Sequence, residues 1–506
     1  MAASLTLSPF LMGATQFLLF AIWILMGDPI KEKLQRFFHS KTALIIVSLY
    51  LLHLIGLIYT SDFQYALKDL KVKLPILLLP LVLSSVKPLD KKRLDLLMLI
   101  YVVSVFIATC ISFGNYLQHD YDDVRHISQF ISHIRFCLNI VLAIGIIGYY
   151  LFTRKSSWWM KLMQIILSLW LGYQLYLFES ISGYLAFIGM MVAAGLFLYF
   201  TKVKGIVWRL VGCIVIVGFP VALGIYCYRL ASSMLATPTV DFKTLDKKTA
   251  QGNNYWHDTV CFPVENGQFV GLYFCRLEMR EAWNRRSSLD YDGTTLNGEN
   301  LEATLARYLT SKGLRKDAEG IAALTDQDIQ NVEHGIANYE NYSHPGLVSR
   351  LSETLFEYNQ YRRRNEPNGG SLSQRIEYTR ASVYLIKKHP VFGVGTGDIP
   401  DAYMQAYDDL QSPLQQRYRH KAHNQYLSIT VGFGLVGLLV FLVALLYPYL
   451  SSKRYRTFLY TIFLAILLIS MLPEDTIETQ AGVTWFAFFN TLLIFAFKKE
   501  DIGPKQ

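Results

Sequence analysis

Residues 425–450 read QYLSITVGFGLVGLLVFLVALLYPYL, a run without a single Asp, Glu, Lys or Arg. A helix that crosses the hydrocarbon core of a membrane needs about 20 mainly apolar residues, and this run is long enough. Immediately before it stands Arg417-Tyr418-Arg419-His420-Lys421-Ala422-His423-Asn424. The change from basic and polar to apolar at Gln425 marks a membrane boundary with titratable side chains gathered at its mouth.

Similar runs lie on both sides of a polar middle. Candidate spans are 8–27, 42–60, 72–87, 94–116, 131–153, 157–178, 181–200 and 205–229, followed after the polar stretch by 425–450, 456–472 and 480–497. The expected fold is therefore an all-α polytopic membrane protein with about eleven spanning helices. The segment 72–87 is short and carries Pro75 and Pro80, which reads as a broken or re-entrant span. Composition agrees: 52% of the chain is hydrophobic and only 17% charged, with mean hydropathy +0.27. The spacing predicts membrane helices over 1–231 and 425–506, an insertion domain over 232–372, and a separate polar segment over 373–424. The net charge of +9 sits mostly in short linkers between apolar runs. It reads as an orientation signal, and no nucleic-acid motif accompanies it.

Alternate linkers carry the basic residues Lys31, Lys33, Arg36 and Lys41, then Lys87, Lys91, Lys92 and Arg93, then Arg154 and Lys155, then Lys202 and Lys204, then Lys453, Arg454 and Arg456. Lys498 and Lys499 follow in the tail. The opposite linkers hold far fewer, although Lys68, Lys71 and Lys73 stand beside Asp62 and Asp69. Positive residues stay inside, which predicts an outer N-terminus, an inner C-terminus and an exported polar domain on the periplasmic or extracellular side. The first run has no basic residue before it and a basic cluster after it, the reverse of a cleavable signal. It reads as an N-out anchor.

Within the exported domain, Cys261 and Cys275 flank a predicted hairpin around Asn266-Gly267. A tight turn there sets Cys261 opposite Leu272, so a disulfide would require a longer loop; both arrangements stay open. The remaining cysteines, Cys110, Cys137, Cys213 and Cys227, lie in apolar runs and read as small hydrophobes. Leu301, Leu305 and Leu309 share a helix face, and helices are expected over 314–324 and 329–339. Asn365–Gly370 is a loop or linker by composition. Asp290-Tyr291-Asp292 looks like a metal-binding triplet but fits turn chemistry better, and no zinc-ligand spacing occurs.

The richest chemistry lies between Ser373 and Leu427. A helix carrying Arg375, Arg380, Lys387 and Lys388 leads into His389-Pro390-Val391-Phe392-Gly393-Val394-Gly395-Thr396-Gly397. Glycines at alternate positions fit either a close backbone approach to a ligand such as phosphate, with Gly393 and Gly395 supporting it, or a tight turn ending the helix. It is neither a Walker A loop nor a dinucleotide fingerprint. His423 stands at the mouth of the following span. A histidine there is either a general base or a helix-entry residue tied to a backbone carbonyl.

The turn His389–Gly397, then His423-Asn424-Gln425-Tyr426-Leu427, then Gly432–Leu438 together resemble the shared core of the O-antigen ligase and O-antigen polymerase family. The long insertion, with Trp256-His257-Asp258 and Arg307–Gly320, resembles its ligase-like branch. The resemblance implies a metal-independent glycosyltransferase without cofactor, in a bacterial inner membrane. Its implied donor is a glycan on undecaprenyl diphosphate and its implied acceptor a hydroxyl of lipid A-core or a similar molecule. It implies that His423 is the base, with Asn424 and Tyr426 in support, and that Arg375 contacts the diphosphate. Arg419 and Lys421, next to His423 in sequence, are expected to support it by lowering its pKa. The plainer reading of Arg375 is a surface helix arginine.

One departure stands out. Where the family carries a Ser-Arg-x-Gly motif, this chain has Ser180-Ile181-Ser182-Gly183. Arg135, at the outer end of another span, either replaces the missing cation or snorkels. The loop Pro473–Gln480 carries Glu474, Asp475 and Glu478, which either pair with the basic run, orient His423, or are solvated; Asp475 is the candidate supporting residue. A polymerase of the same family and a lipid-linked glycan flippase are the competing functions. The ligase reading is preferred for the long insertion, and against the flippase stand the scarcity of intramembrane charge and the lack of an inverted repeat.

Overall fold

The computed structural model describes the chain except for residues 119–126, 236–238, 344–346, 369, 453–454 and 496–506. Lys453, Arg454, Lys498 and Lys499 therefore lie outside the described residues, as does the side chain of Lys202. The chain divides into two compact units. The first comprises Met1–Pro220, Arg375–Ser412 and Arg419–Gln506; the second comprises Val221–Gln374 and Pro413–Tyr418.

The first unit is helical among its described residues. Among the described residues, six helices are long and apolar enough to cross a membrane singly: Lys41–Tyr59, Lys91–Gln118, His133–Thr153, Ile181–Thr201, Ile206–Arg229 and Gln425–Ser451. Six of the eleven expected spans thus form as these long helices, the expected 157–178 forms the continuous helix Trp158–Leu177, and the other four are modified. The first run ends at Leu25, and a helix Ile30–His39 leaves it at 113°. The expected 72–87 becomes Pro75–Ser85, with Pro75 opening the helix and Pro80 inside it. The runs at 456–472 and 480–497 give shorter helices, Phe458–Ser470 and Gln480–Phe495. At about 1.5 Å per residue a 13-residue helix such as Phe458–Ser470 falls short of a hydrocarbon core of about 30 Å. Both are wrapped by protein instead: Phe463, Leu467, Val483 and Phe486 are fully buried. Phe458–Ser470 packs on Ile181–Lys202 and His133–Thr153, and Gln480–Phe495 packs on Pro75–Ser85.

Polar residues at the ends of these runs start the helices. Ser8, Ser40, Asp62, Ser157, Ser180, Asn424 and Thr457 each accept an N–H from the first turn that follows. Such caps satisfy donors that have no partner within the helix.

The helix Gln425–Ser451 is broken at Gly434, whose φ is 65° and ψ is −166°. A break strands backbone groups, at several kcal/mol each in an apolar medium. The turn after His389 takes up those groups. Val394 N–H donates to Val431 O (3.0 Å) and Gly395 N–H to Gly432 O (2.9 Å). In return, Leu435 N–H donates to Pro390 O (2.8 Å) and Val436 N–H to Val391 O (3.3 Å). Glycine is required at the crossing, because a Cβ on Gly393 would lie 2.4 Å from Gly432 C, and one on Gly434 would lie 2.1 Å from Val391 O.

The second unit has its own core, built on Trp283, Tyr291, Leu301, Leu305, Tyr308, Leu309, Ile321 and Val332. Leu301–Ser311 is the expected helix, with all three leucines on its buried face. The next two helices are shorter than expected, Ala318–Ala322 and Asp326–Glu333, each opened by a polar cap and the second stopped ahead of Gly335 (φ 82°). The hairpin forms as read, pairing Val264 with Phe269 and Glu265 with Gln268 across Asn266-Gly267. Cys261 is free and exposed and Cys275 is free and buried, so the disulfide is absent. Asp290–Gly293 is a turn closed by Gly293 N–H on Asp290 O at 3.0 Å, and Asp292 pairs with Arg280 at 2.7 Å. A long helix, Leu347–Arg364, precedes the Asn365–Gly370 break and was not anticipated from sequence.

Candidate active site

The start of helix Gln425–Ser451 organises the site. Asn424 caps it by accepting Leu427 N–H at 3.0 Å, and donates its own Nδ2–H to Leu472 O at 2.8 Å. Gln425 N–H donates to Met471 O at 3.0 Å, and Gln425 Oε1 accepts Ile477 N–H at 2.8 Å. These bonds clamp the loop between Phe458–Ser470 and Gln480–Phe495 against the helix entry. The loop therefore delivers Glu474 beside His423. Tyr426 supports from within the bundle, donating to Leu468 O at 2.9 Å.

Glu474 is the hub. Its side chain is 3% exposed, and Arg375 Nη2 donates to Oε1 at 2.6 Å. Arg135 Nη1 approaches Oε2 at 3.4 Å, and His423 Nδ1 lies 3.9 Å from the same oxygen. Each arginine also binds the loop backbone, Arg375 at Pro473 O (2.6 Å) and Arg135 at Asp475 O (2.7 Å). The Nε of Arg135 is buried without an acceptor among the described residues. Two guanidiniums, a histidine and one carboxylate thus converge from four separate parts of the sequence. Arg375 and Arg135 are both paired here.

The helix that carries Arg135, His133–Thr153, approaches the Ser180–Gly183 stretch through Cys137. A Cβ at Gly183, in the Ser180–Gly183 stretch, would come within 2.9 Å of Cys137 Cβ. Cys137 is on the same first turns of helix His133–Thr153 as Arg135.

His423 has a left-handed backbone, φ 47°, a conformation that costs about 1–3 kcal/mol and persists where surroundings impose it. Its side chain is 40% exposed, with the ring 5.6 Å from Tyr378 and 6.3 Å from His420. Burial lowers its pKa below the ordinary 6.5; Glu474 opposes this, while Arg375, His420 and Arg135 reinforce it. The basic neighbours in sequence, Arg419 and Lys421, do not carry the shift. Arg419 pairs with Asp408 at 2.6 Å, and Lys421 turns to Glu478 at 3.7 Å.

Asp475 plays a different part from the one its position implies. Its carboxylate accepts Ser428 Oγ–H at 2.7 Å, so the acid beside His423 is Glu474. Burial pushes the Asp475 carboxyl up to about 6, aided by Glu478 and Glu474 and opposed by Ser428 and Lys421.

Glu478 anchors a second, buried ionic group. It accepts Lys73 Nζ at 3.1 Å and Gln425 Nε2 at 3.1 Å, and Lys73 also binds Asp69 at 2.8 Å. Burial opposes ionisation of Glu478, but Lys73 and Lys421 hold its carboxyl below the usual carboxylate range. Lys73 is fully buried. Counted in sequence among the linker lysines beside Asp62 and Asp69, it is a paired internal cation, as buried charges must be.

Gly393 and Gly395 serve structure. All five N–H groups from Gly393 to Gly397 are engaged: by His389 O, Val431 O, Gly432 O and Gly56 O through the backbone, and by Thr60 Oγ1 at 2.7 Å for Gly397. None is left for a phosphate, so the close backbone approach is to the chain's own broken helix. Asp398 ties the same turn down, accepting Ser61 N–H and Asp62 N–H, both at 2.8 Å.

Sequence reading missed Glu474 as the hub, and Lys73 and Glu478 as a pair. The signal available was a carboxylate placed directly after an apolar run, where an uncompensated charge is costly.

Residues 346–442 match the family described as O-antigen ligase. The matched stretch contains Arg375, the glycine turn, His423 and the break at Gly434, whereas Arg135 and Glu474 lie outside it. No curated protein matches the chain. The match is a likeness over that stretch, less than half of the chain, and the apolar helices fit a multi-pass membrane protein.

Proposed function

We propose that this protein is an O-antigen ligase-like glycosyltransferase that moves a glycan from undecaprenyl diphosphate to an acceptor hydroxyl at the outer face of a bacterial inner membrane. The observation that carries the reading is the convergence of Arg135, Arg375 and His423 on Glu474. The reaction needs those parts. His423 takes the acceptor proton, the acceptor oxygen attacks the anomeric carbon, and the bond from that carbon to the diphosphate oxygen breaks. The leaving diphosphate carries the negative charge, which two guanidiniums hold through planar, permanently charged contacts. That charge compensation is the task a metal ion performs in nucleotide-sugar enzymes, so the proposed transfer uses no metal. Glu474, next to Nδ1, favours the tautomer with Nδ1–H and leaves Nε2 as the base.

The alternation of basic linkers supports an outer position for the second unit, the side on which lipid-linked glycans are consumed in this scheme. A lipid A-core acceptor is the preferred partner, given the large polar unit. Deletion of the gene in the source bacterium tests the reading: loss of all attached surface glycan is expected. A single attached repeat would identify a polymerase instead, and lipid-linked glycan trapped on the cytoplasmic face would identify a flippase.

A further inference from the structure

The proposed diphosphate cations are not waiting empty. Both guanidiniums already hold a carboxylate: Arg375 takes Glu474 Oε1 at 2.6 Å and Arg135 approaches Oε2 at 3.4 Å. Glu474 is nearly fully buried, sits on a loop clamped by Asn424 and Gln425, and has His423 Nδ1 3.9 Å from Oε2. A carboxylate and a phosphate compete for the same guanidinium edges, because both offer paired oxygens of matching spacing.

We infer that Glu474 is a resident counter-ion that stands in for the donor diphosphate, releases Arg135 and Arg375 to it, and then serves His423 Nδ1–H. This rests on the glycosyl-transfer reading of the two arginines and adds to it a coupling between donor binding and the base. In the unliganded protein Glu474 neutralises two neighbouring cations that would otherwise repel one another. When the diphosphate arrives, the arginines turn to its oxygens, and the carboxylate is left facing the imidazole. The hydrogen bond it then accepts from Nδ1 orients His423 and makes Nε2 a stronger proton acceptor. When the lipid diphosphate leaves, Glu474 recovers the arginines and assists release. Glu474 is a positioning residue: it acts through Arg135, Arg375 and His423.

The inference has an unusual signature, since removing the charge should improve binding while slowing turnover. In purified, lipid-reconstituted full-length protein, Glu474→Gln should bind a short-chain prenyl diphosphate about fivefold more tightly or better. Its kcat for glycan transfer should fall about tenfold or more. The same ligand should raise the thermal midpoint of Glu474→Gln further than that of the wild type, so a less stable variant still reports. If Glu474→Gln does not accumulate, Glu474→Asp decides by the same split, because its shorter arm loosens both arginine contacts. Binding that is unchanged or weaker in the variant that folds overturns the inference, as does an unchanged kcat. Arg135→Ala and Arg375→Ala separate the two levels. If they weaken prenyl diphosphate binding while the Glu474 variants fail to tighten it, the glycosyl-transfer reading stands and the counter-ion inference falls. If they leave binding unaltered, both fall together.

Discussion

Arg375 and Glu474 meet at 2.6 Å although 99 residues separate them in sequence. The contact joins the helix that precedes the glycine turn to the loop that precedes the last helix. Arg135 reaches the same carboxylate from 339 residues away. The site therefore exists only once the helical unit has assembled, and its cations are held ready by an internal acid.

His423→Ala is expected to reduce glycan transfer by about 10²–10⁴-fold, the usual contribution of a positioned base. Because its pKa lies below 6.5, the base-competent neutral form persists below that pH. Plotted against pH, kcat/KM should show an acid limb centred below 6.5; an acid limb centred above 6.5 would contradict the assignment. His423→Gln keeps a hydrogen-bonding group without the proton acceptor, so near-normal transfer by that variant would make His423 a positioning residue.

Arg375→Lys should impair transfer although the charge is kept, because the lysine cannot bridge Pro473 O and Glu474 Oε1 as the planar fork does. Arg135→Ala should be comparably damaging. Kinetics at equal protein amount check both, and normal activity of Arg135→Ala would remove that residue from the proposed diphosphate site.

Gly393→Ala should destabilise the protein by roughly 1–3 kcal/mol or more, from strain at its positive φ together with the collision on Gly432. Gly148→Ala is the matched control, since a Cβ there meets nothing within 4 Å. Thermal unfolding in detergent should separate them clearly. Equal midpoints would mean that the turn does not brace the broken helix.

Asp475 supplies a pH-dependent stability term with a definite sign. Its folded pKa of about 6 exceeds the ordinary 3.8, so the folded protein keeps a proton that the unfolded chain has lost. Its contribution is fully favourable below 3.8 and disappears as pH rises through 6. At about 1.36 kcal/mol per unit, the difference is on the order of 3 kcal/mol. Asp475→Asn should therefore gain stability relative to the wild type between pH 5 and pH 7.5. Midpoints measured at both values check this, and a gain confined to the lower pH would refute it.

Cys261 is free and exposed in the second unit, which offers a native probe of orientation. A membrane-impermeant maleimide should label it in intact spheroplasts, and Cys261→Ser should abolish that signal. Labelling that appears only after the membrane is ruptured would reverse the topology and, with it, the site of the proposed reaction.

Much of the architecture is legible locally. Long apolar runs must satisfy their backbone internally, and so become helices; Ser8, Ser40, Ser180 and Asn424 mark their starts by capping chemistry. The hairpin at Asn266-Gly267 and the buried face of Leu301, Leu305 and Leu309 follow equally from turn preference and periodicity. The prominence of Arg375 and His423 was also visible, through position at a boundary and a resemblance of motif. The lengths of the final helices were not, because hydropathy cannot tell lipid from a wrapping of protein.

What the sequence by itself determined is the set of helices, their polar caps and the placing of titratable groups at apolar boundaries, since each depends on neighbours within a few residues. Tertiary structure alone decided who meets whom. It set the glycines of the 393–397 turn against the break at Gly434, and so turned an apparent ligand loop into a backbone brace. It buried Lys73 on Glu478, and it chose Glu474 over Asp475 as the partner of His423, Arg135 and Arg375. The physical reason is that charge pairing and backbone satisfaction in a low-dielectric interior are settled by distance in space. Residues hundreds of positions apart acquire that distance only when the helices pack.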